Sequence, residues 1–281
     1  MTMTSQMIDT SVGRLRVEVD GDGAPALLWH SLFVDSGSWS RMRPLLRDER
    51  RLIVVDGPGH GQSSTPPSGF GLDACAVGAT EVLDALGVTE PVDWVGNAWG
   101  GHVGLTLAAR SPGRCRSVVT IATPVHALSR RERMVIVPMV WAYRFVSAAP
   151  PLANGVARAL LGRAFMRSRP EDAAAVVASF RNAPRSGMYR AMTSVMLNRA
   201  DLDPILPQIT TPTLMVVPTA DAMLPAHQIH AAVRQMPCVA AVEVKAEGHV
   251  APIIANAEQL ADMITAFWRD PKGYVSRQVR D

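Results

Sequence analysis

The chain has 281 residues, 48% of them hydrophobic, and a formal net charge of +3 at pH 7. That length and composition predict one large α/β domain, and the sequence contains no internal repeat or low-complexity tract. The three cysteines are widely spaced and odd in number, which argues against a disulfide framework or a zinc site. The N-terminal residues lack the charged and apolar regions of a secretory signal, so we expect a cytoplasmic location.

Short apolar and β-branched segments alternate with helical patterns from about residue 37 onward. The expected strands lie near residues 12–19, 26–29, 51–55, 91–95, 116–121, 212–217 and 241–245. This alternation predicts an α/β fold with a mostly parallel, twisted sheet and helices on both faces. The first strand is expected at an antiparallel edge. Asn256 to Trp268 is predicted as the closing helix and residues 269–281 as a polar tail without regular structure.

The pattern changes between residues 125 and 200, where helical stretches rich in Ala, Leu, Met and Arg are broken by prolines. We therefore expect a core of residues 1–124 and 201–281 and a helical cap of residues 125–200. The cap carries twelve arginines against three acidic residues, a net charge of +9. Such a lid could steer anionic substrates or an acidic partner, or the charges could belong to a solvated helical surface. No nucleic-acid-binding motif accompanies them, and we expect no nucleic-acid partner.

A nearly continuous apolar run, Met134 to Tyr143, lies within the expected cap. It is too short to span a bilayer, which needs ~20 apolar residues, and we expect no membrane partner. The run either lines a hydrophobic pocket, with Trp141 and Tyr143 in contact with a substrate, or packs the cap against the core.

The segment Gly96-Asn97-Ala98-Trp99-Gly100-Gly101, called the elbow below, lies between a short apolar run and a helical pattern. A sharp strand-to-helix turn needs small residues on either side of the projecting side chain, and Gly96 and Gly100 satisfy that requirement. The residue that projects is Ala98, which has no nucleophilic atom.

Two further segments place ionisable side chains after expected strands. Asp221 follows the apolar segment Thr213–Val217, and His249 follows the segment Val242–Lys245. Loops at the carboxyl ends of parallel strands meet in one crevice, so we expect Ala98, Asp221 and His249 to lie together. A carboxylate and then a histidine after the elbow are typical of the acid and the base that serve a nucleophile.

These segments, together with His30-Ser31-Leu32-Phe33 and the turn from Asp56 to Ser63, resemble the α/β-hydrolase superfamily over about residues 10 to 268. The family has a nucleophile where this chain has Ala98 and glycine where it has Ser31. The resemblance implies that the elbow residue is activated by a histidine, which is in turn oriented by a carboxylate.

Residue by residue, the resemblance assigns the base to His249 and the acid to Asp221. It assigns the oxyanion hole to the backbone N–H groups of Leu32 and Trp99. It implies hydrolysis of a small carboxylic ester or lactone, with a small-molecule acyl substrate, no cofactor and no metal. The sequence is compatible with a homodimer.

Two more residues are candidates for substrate contact. Phe33 belongs to the expected oxyanion loop, and His126 lies just past the expected strand at residues 116–121, where the cap begins.

Alanine at position 98 leaves several interpretations open. In the first, a serine was deliberately replaced by alanine, which disables the nucleophile. In the second, the alanine is natural and His249 with Asp221 acts as a base dyad, as in lyase-like or cofactor-free oxygenase relatives. The chain could also be a non-catalytic ligand-binding protein. A parent with aspartate at position 98 would resemble epoxide hydrolases and haloalkane dehalogenases, because tryptophan and two glycines follow. The cap tyrosines Tyr143 and Tyr189 are then candidates to protonate an opening oxygen.

Overall fold

The computed structural model describes residues 3–221, 223–224 and 226–278, and its strands form one eight-stranded sheet. The strands are β1 (Thr4–Thr10), β2 (Gly13–Asp20), β3 (Pro25–Trp29), β4 (Arg51–Val55), β5 (Val92–Asn97), β6 (Cys115–Ile121), β7 (Thr213–Ala220) and β8 (Val239–Glu247). Their spatial order is β1-β2-β4-β3-β5-β6-β7-β8. Strand β2 pairs antiparallel with β1 and β4, whereas every other pairing is parallel. The predicted α/β fold with a mostly parallel sheet is confirmed.

Helices fill the connections between the strands. The α-helices are α1 (Arg43–Leu46), α2 (Leu72–Ala85), α3 (Trp99–Arg110), α4 (Arg130–Val146), α5 (Pro150–Leu161), α6 (Arg163–Ser168), α7 (Pro170–Asn182), α8 (Arg185–Ala191), α9 (Ala226–Val233), α10 (Ala251–Ala255), α11 (Ala257–Arg269) and α12 (Pro271–Gln278). Short 3₁₀ helices lie at Ser36–Trp39, Pro112–Arg114 and Asp203–Gln208, and one π-helical turn lies at Met192–Leu197. No described helix is long and apolar enough to cross a bilayer.

The central strands are buried on both faces. Every residue of β3 and β5 is buried, and because successive side chains of a strand point to opposite faces, both faces of the sheet must be covered. Three tryptophans pack at this centre: Trp29 stacks on Trp94 with ring centroids 6.0 Å apart and meets Trp99 edge to face at 5.5 Å. The elbow therefore packs on a buried cluster of tryptophan rings.

Two terminal segments differ from the sequence-based expectation. Strand β1 was not expected, because its mostly exposed, polar residues carry no clear period-two pattern; pairing with β2 along its whole length makes it the sheet edge. The tail beyond Arg269 was expected to lack regular structure, which is wrong through Gln278. Helix α12 begins at Pro271, buries Val275 and places Tyr274 against Phe267 of α11.

The stretch between β6 and β7 holds helices α4 to α8 and the π-helical turn but no strand. Most of its prolines begin helices rather than break them, since a proline at the first helical position loses no intrahelical hydrogen bond. Pro150 and Pro170 open α5 and α7 in this way. Pro138 was expected to break a helix and instead lies inside α4.

The sheet topology fixes where a site can form. Strand β3 lies between β4 and β5, so the chain proceeds to one side of β3 and then to the other. The loops after β3 and β5 therefore diverge and leave a crevice at the carboxyl ends of these strands. Residues His30 to Phe33 follow β3, and Ala98 follows β5, so both line that crevice.

Candidate active site

The elbow joins β5 to α3 through a strained backbone at Ala98. Ala98 has φ 47° and ψ −103°, which residues with a side chain rarely adopt. Its amide donates to the carbonyl of Ile121 at 2.8 Å, which fixes the turn to β6. A Cβ on Gly96 would lie 2.1 Å from the carbonyl carbon of Gly100, so this close approach requires glycine.

Asp221 and His249 form a buried, hydrogen-bonded pair. Nδ1 of His249 donates to Oδ2 of Asp221 at 2.6 Å, and the amide of Met223 donates to Oδ1 of the same carboxylate at 2.9 Å. The carboxylate therefore fixes the tautomer and ring orientation of His249. The lone pair of Nε2 is left to act as a base.

The loop that carries His249 is held by α5. The amides of His249 and Val250 both donate to the carbonyl of Leu160, at 2.7 and 2.8 Å. Gly248 has φ +87°, and a Cβ there would lie 2.6 Å from the Leu160 carbonyl oxygen. The loop reaches its anchor only because residue 248 has no side chain.

Asn97, the residue before Ala98, ties the elbow to the histidine loop. Its Nδ2 donates to the carbonyl of Ile121 and to the carbonyl of His249, both at 3.0 Å. One buried carboxamide thus links β5, β6 and the histidine. Asn97 could not be assigned a role from sequence beyond its place in the elbow motif, because an asparagine at the end of a strand carries no signal for a contact 152 residues away.

The loop after β3 is braced by two neutral histidines. Nδ1 of His30 donates to the carbonyl of Ser31 at 2.6 Å, and its Nε2 accepts from the amide of Gly57 at 2.8 Å. Burial lowers the pKa of His30, and burial together with the neighbouring His30 ring lowers the pKa of His60 to about 3. Nε2 of His60 accepts from the amide of Phe33 at 3.4 Å, and Phe33 has φ 71°.

The amides of Leu32 and Trp99 are available to a ligand. Within the described residues, neither N–H donates a hydrogen bond, whereas the neighbouring amide of Phe33 is occupied by His60. The first amides of a helix have no partner within it, so Trp99 at the start of α3 is suited to receive negative charge.

Comparison with known proteins agrees with this geometry. A family model described as the alpha/beta hydrolase fold matches residues 25–255. This chain belongs to the α/β-hydrolase fold family. It is 24% identical to a pimeloyl-[acyl-carrier protein] methyl ester esterase of Xanthomonas axonopodis pv. citri (strain 306) over 257 residues, which cover 90% of the chain and 98% of that relative.

Solved structures of the family superpose over nearly the whole chain. A thermophilic esterase from Thermogutta terrifontis matches with a TM-score of 0.86 at 25% identity, covering 96% of this chain and 99% of that one. The enol-lactonase from Burkholderia xenovorans LB400 also matches with a TM-score of 0.86, at 23% identity, covering 94% of this chain and all of that one. The hydrolase fold is therefore established over nearly the whole chain, and the named relatives are ester-hydrolysing enzymes.

A cavity of about 100 Å³ lies at the elbow of this α/β-hydrolase. It is lined by Ser31, Leu32, Phe33, Ala98, Trp99, His102, Pro124, Leu128, Glu132, Ile136, Leu160, Val195, Met196, Arg199, Met223 and His249. Five candidates from the sequence, Leu32, Phe33, Ala98, Trp99 and His249, thus share one cavity, and Asp221 lies behind His249. Most of the wall is apolar.

Three candidate substrate contacts are absent from this cavity wall. His126 is turned toward Asp203, whose Oδ2 accepts from its Nδ1 at 2.8 Å. Tyr143 is buried on the inner side of α4 against Phe180, with ring centroids 5.5 Å apart. Trp141 lies on the opposite side of α4, where 57% of it is exposed. A helix that packs Tyr143 inward necessarily turns a residue two positions earlier away from the core.

Several residues of the wall were not expected. Helix α4 contributes Glu132, and the π-helical turn contributes Val195 and Met196, whereas Ile136 belongs to the apolar run that was considered as a pocket lining. A π-helical turn shifts the register of the side chains that follow it, so a period of 3.6 could not identify these residues. Arg199 follows this turn, and its burial lowers the pKa of its guanidinium.

A second polar cluster lies beside the cavity. Potential ligand atoms of His126, Asp201 and Asp203 lie within 4.8 Å of one another. Nε of Arg199 donates to the carbonyl of His126 at 3.0 Å, and the charges of Glu132 and Asp201 raise the pKa of this guanidinium against the larger effect of burial. The acidic charge of the cluster therefore already faces a cation of the chain.

Proposed function

We propose that the site binds small carboxylic esters or lactones, and that the chain with Ala98 lacks the hydrolysis that a serine at this position would perform. The observation that carries the proposal is the buried 2.6 Å hydrogen bond between His249 and Asp221 beside the intact elbow. Backbone strain at the elbow and burial of an ionisable pair both cost stability, and their occurrence side by side indicates a site maintained for function.

The chemistry follows from the positions of the side chains. A serine oxygen at position 98 attacks the acyl carbonyl while Nε2 of His249 takes its proton, and Asp221 stabilises the imidazolium. The negative oxygen receives hydrogen bonds from the amides of Leu32 and Trp99. The histidine then protonates the leaving alkoxide, and water attacks the acyl–enzyme by the reverse sequence of proton transfers. Alanine removes the first step, which typically lowers turnover by about 10⁶.

The cavity supports a small and largely apolar substrate. Its volume of about 100 Å³ leaves room for only a small group beside the elbow. Leu128, Ile136, Leu160, Val195 and Met196 supply aliphatic walls that favour a short hydrocarbon acyl group or a small lactone ring.

The test compares the chain with Ala98→Ser on p-nitrophenyl esters of short acyl chains and on lactones. We expect the serine variant to gain several orders of magnitude in kcat/KM, and Ala98→Ser/His249→Gln to lose that gain. Ala122→Ser is the matched control, because Ala122 is also buried with positive φ, 52°, at the end of the neighbouring strand β6. If Ala98→Ser gains no more than Ala122→Ser, the proposal is wrong for these substrates.

A base-dyad activity without a nucleophile is the second candidate. It is favoured because the pair of His249 and Asp221 is complete with alanine at position 98, so proton abstraction by Nε2 needs no other residue. Its test is exchange of the α-protons of carbonyl compounds for deuterium by the unmodified chain. Exchange that is lost in His249→Gln supports this candidate, and no exchange above the buffer rate excludes it for the compounds used.

The aspartate parent receives less support from the geometry. A tyrosine that protonates an opening oxygen must face the elbow cavity. Tyr143 packs on Phe180, and Tyr189 lies under the guanidinium of Arg144 at 5.4 Å, so neither lines the cavity.

A further inference from the structure

Helix α4 presents large apolar side chains to solvent along one face. Five of the nine exposed large hydrophobic residues in the described chain lie on this helix: Met134 and Val135 are each 75% exposed, Trp141 57%, Phe145 69% and Val146 53%. At 3.6 residues per turn these positions form one stripe that runs the length of the helix, and Pro138 lies exposed within it. Isolated surface apolar residues are ordinary, whereas a contiguous stripe indicates a docking surface.

The opposite face of α4 is already in use. Val140 and Tyr143 are buried, and Glu132 and Ile136 line the elbow cavity. Glu132, the one acidic residue of α4, is held by Ser129 in a capping box at the start of the helix. The helix is therefore apolar on both sides, and only its inner side is covered by the protein itself.

Arginines border the exposed stripe. Arg130, Arg131 and Arg133 lie at its N-terminal end. At its C-terminal end a depression of about 670 Å³ is lined by Arg144, Phe145, Arg185, Ser186, Tyr189 and Arg190. Across the described part of the chain, no carboxylate lies within 4.0 Å of any of these six guanidinium groups.

The arginines of the depression are held in place without being neutralised. The guanidinium of Arg144 lies over the ring of Tyr189, and Arg185 donates to the carbonyl of Phe145 at 3.2 Å. Fixed guanidinium groups with free donors recognise phosphate by paired hydrogen bonds. The depression therefore fits an anionic phosphate group immediately beside the apolar stripe.

We infer that the outer face of α4 and this arginine depression dock the protein on an anionic phospholipid surface. Trp141, Phe145 and Met134 enter the headgroup region with α4 parallel to the surface, while Arg144 and Arg185 bind lipid phosphates. An apolar stripe with tryptophan and phenylalanine, bordered by arginine, is the pattern of a helix that lies in a membrane interface. The length of the apolar run excluded only a spanning helix, and lying at the surface requires no such length.

Charge favours this occupant over a second copy of the chain. Pairing two copies through α4 would bring together two caps that each carry a net charge of +9. A bilayer of anionic lipid instead supplies the opposite charge and an apolar layer together. The inference does not depend on the proposed esterase activity.

Trp141 provides a direct readout. The other five of the six tryptophans are at most 1% exposed, so lipid can quench only Trp141 without unfolding the protein. We expect vesicles containing phosphatidylglycerol to shift the emission to shorter wavelength, and brominated acyl chains to quench it. Phosphatidylcholine vesicles should bind far more weakly, and high salt should release the protein. Cosedimentation of Trp141→Phe should match that of the parent while the fluorescence response is lost.

Two variants locate the surface. Phe145→Asp should weaken vesicle binding at least about tenfold, because burial of the ring is lost. Arg144→Gln/Arg185→Gln should weaken it by about 25-fold, on the order of fivefold for each arginine. Val77→Asp and Arg47→Glu are matched controls, since both residues are exposed on the body of the protein, and both variants should bind as the parent does.

Three outcomes overturn the inference. In one, anionic vesicles at low salt neither quench Trp141 nor sediment the protein. In another, light scattering without lipid shows a dimer that Phe145→Asp dissociates, which assigns the face to a second copy of the chain. Equal loss of binding in Val77→Asp and Phe145→Asp would likewise refute the assignment to α4.

Discussion

The buried histidine of the turn after β4 predicts a specific loss of stability in acid. Burial and the neighbouring His30 lower the pKa of His60 to about 3, from about 6.5 in an unfolded chain. A histidine with a lowered folded-state pKa binds its proton more readily when the protein is unfolded. Its contribution to stability is complete above pH 6.5 and is lost as the pH falls toward 3.

The size of the effect follows from these two pKa values. The unfolded state carries about a quarter of a proton at His60 at pH 7 and nearly one at pH 5, whereas the folded state carries almost none at either pH. The linkage relation then gives a loss of about 2 kcal/mol in the free energy of unfolding, approaching about 1.4 kcal/mol for each further pH unit. Because His60 is fully buried beside Trp99, solvent does not screen this effect.

The measurement is urea unfolding of the parent chain and of His60→Gln at pH 7, 6 and 5. His30 and His102 also have pKa values lowered by burial, so the parent loses more than His60 alone accounts for. The difference between parent and variant isolates His60 and should shrink by about 2 kcal/mol from pH 7 to pH 5. The exposed His230→Gln is the control and should follow the parent. A difference that stays constant with pH would refute the reasoning.

Two further substitutions test how the histidine loop is held. Gly248→Ala places a side chain on a residue with φ +87° and directs its Cβ into the Leu160 carbonyl. The variant should therefore lower the free energy of unfolding, measured in urea, by at least about 2 kcal/mol, and it should abolish the activity gained by Ala98→Ser. Asn97→Ala removes the side-chain donor to the buried carbonyl of His249, whereas the carbonyl of Ile121 keeps the amide of Ala98. The variant should lose about 1–3 kcal/mol, and the exposed Asn182→Ala should be near neutral. In the Ala98→Ser background, Asn97→Ala should reduce kcat more than it changes KM. Equal losses of stability and of kcat in Asn97→Ala and Asn182→Ala would argue against Asn97 as the residue that positions the His249 loop.

The strands that carry the site were predictable because their apolar sequences agree with their buried positions in the sheet. Strands β3 and β5 are short, apolar and bounded by turn residues, and the elbow follows β5 directly, so Ala98, Asp221 and His249 could each be placed at a strand end. That these ends converge follows from the parallel sheet. Strand β1 lacked such a pattern, since its residues are held by pairing with β2 rather than by burial.

The cap region could be predicted as helical but not in detail. The sequence offered Trp141 and Tyr143 as equivalent members of one apolar run, whereas the rotation of α4 sends Tyr143 to Phe180 and Trp141 to solvent. This rotation is decided by tertiary packing, and a helix that is apolar on both sides does not reveal it. His126 was placed by proximity to β6, and its hydrogen bond to Asp203 depends on a residue 77 positions later.

The anchoring of the histidine loop also restricts how the cavity can enlarge. A bulky acyl group enclosed at the elbow requires part of this small cavity's wall to move. Displacing α5 would break both hydrogen bonds from the His249 loop to Leu160 and would take the base out of register. Among the described residues, α4 and the π-helical turn make no hydrogen bond to His249 or Asp221, so widening the cavity at these elements would leave the dyad in register. Helix α4 also bears the apolar stripe, so a surface that engages α4 would act on a part of the wall that is not bonded to the dyad.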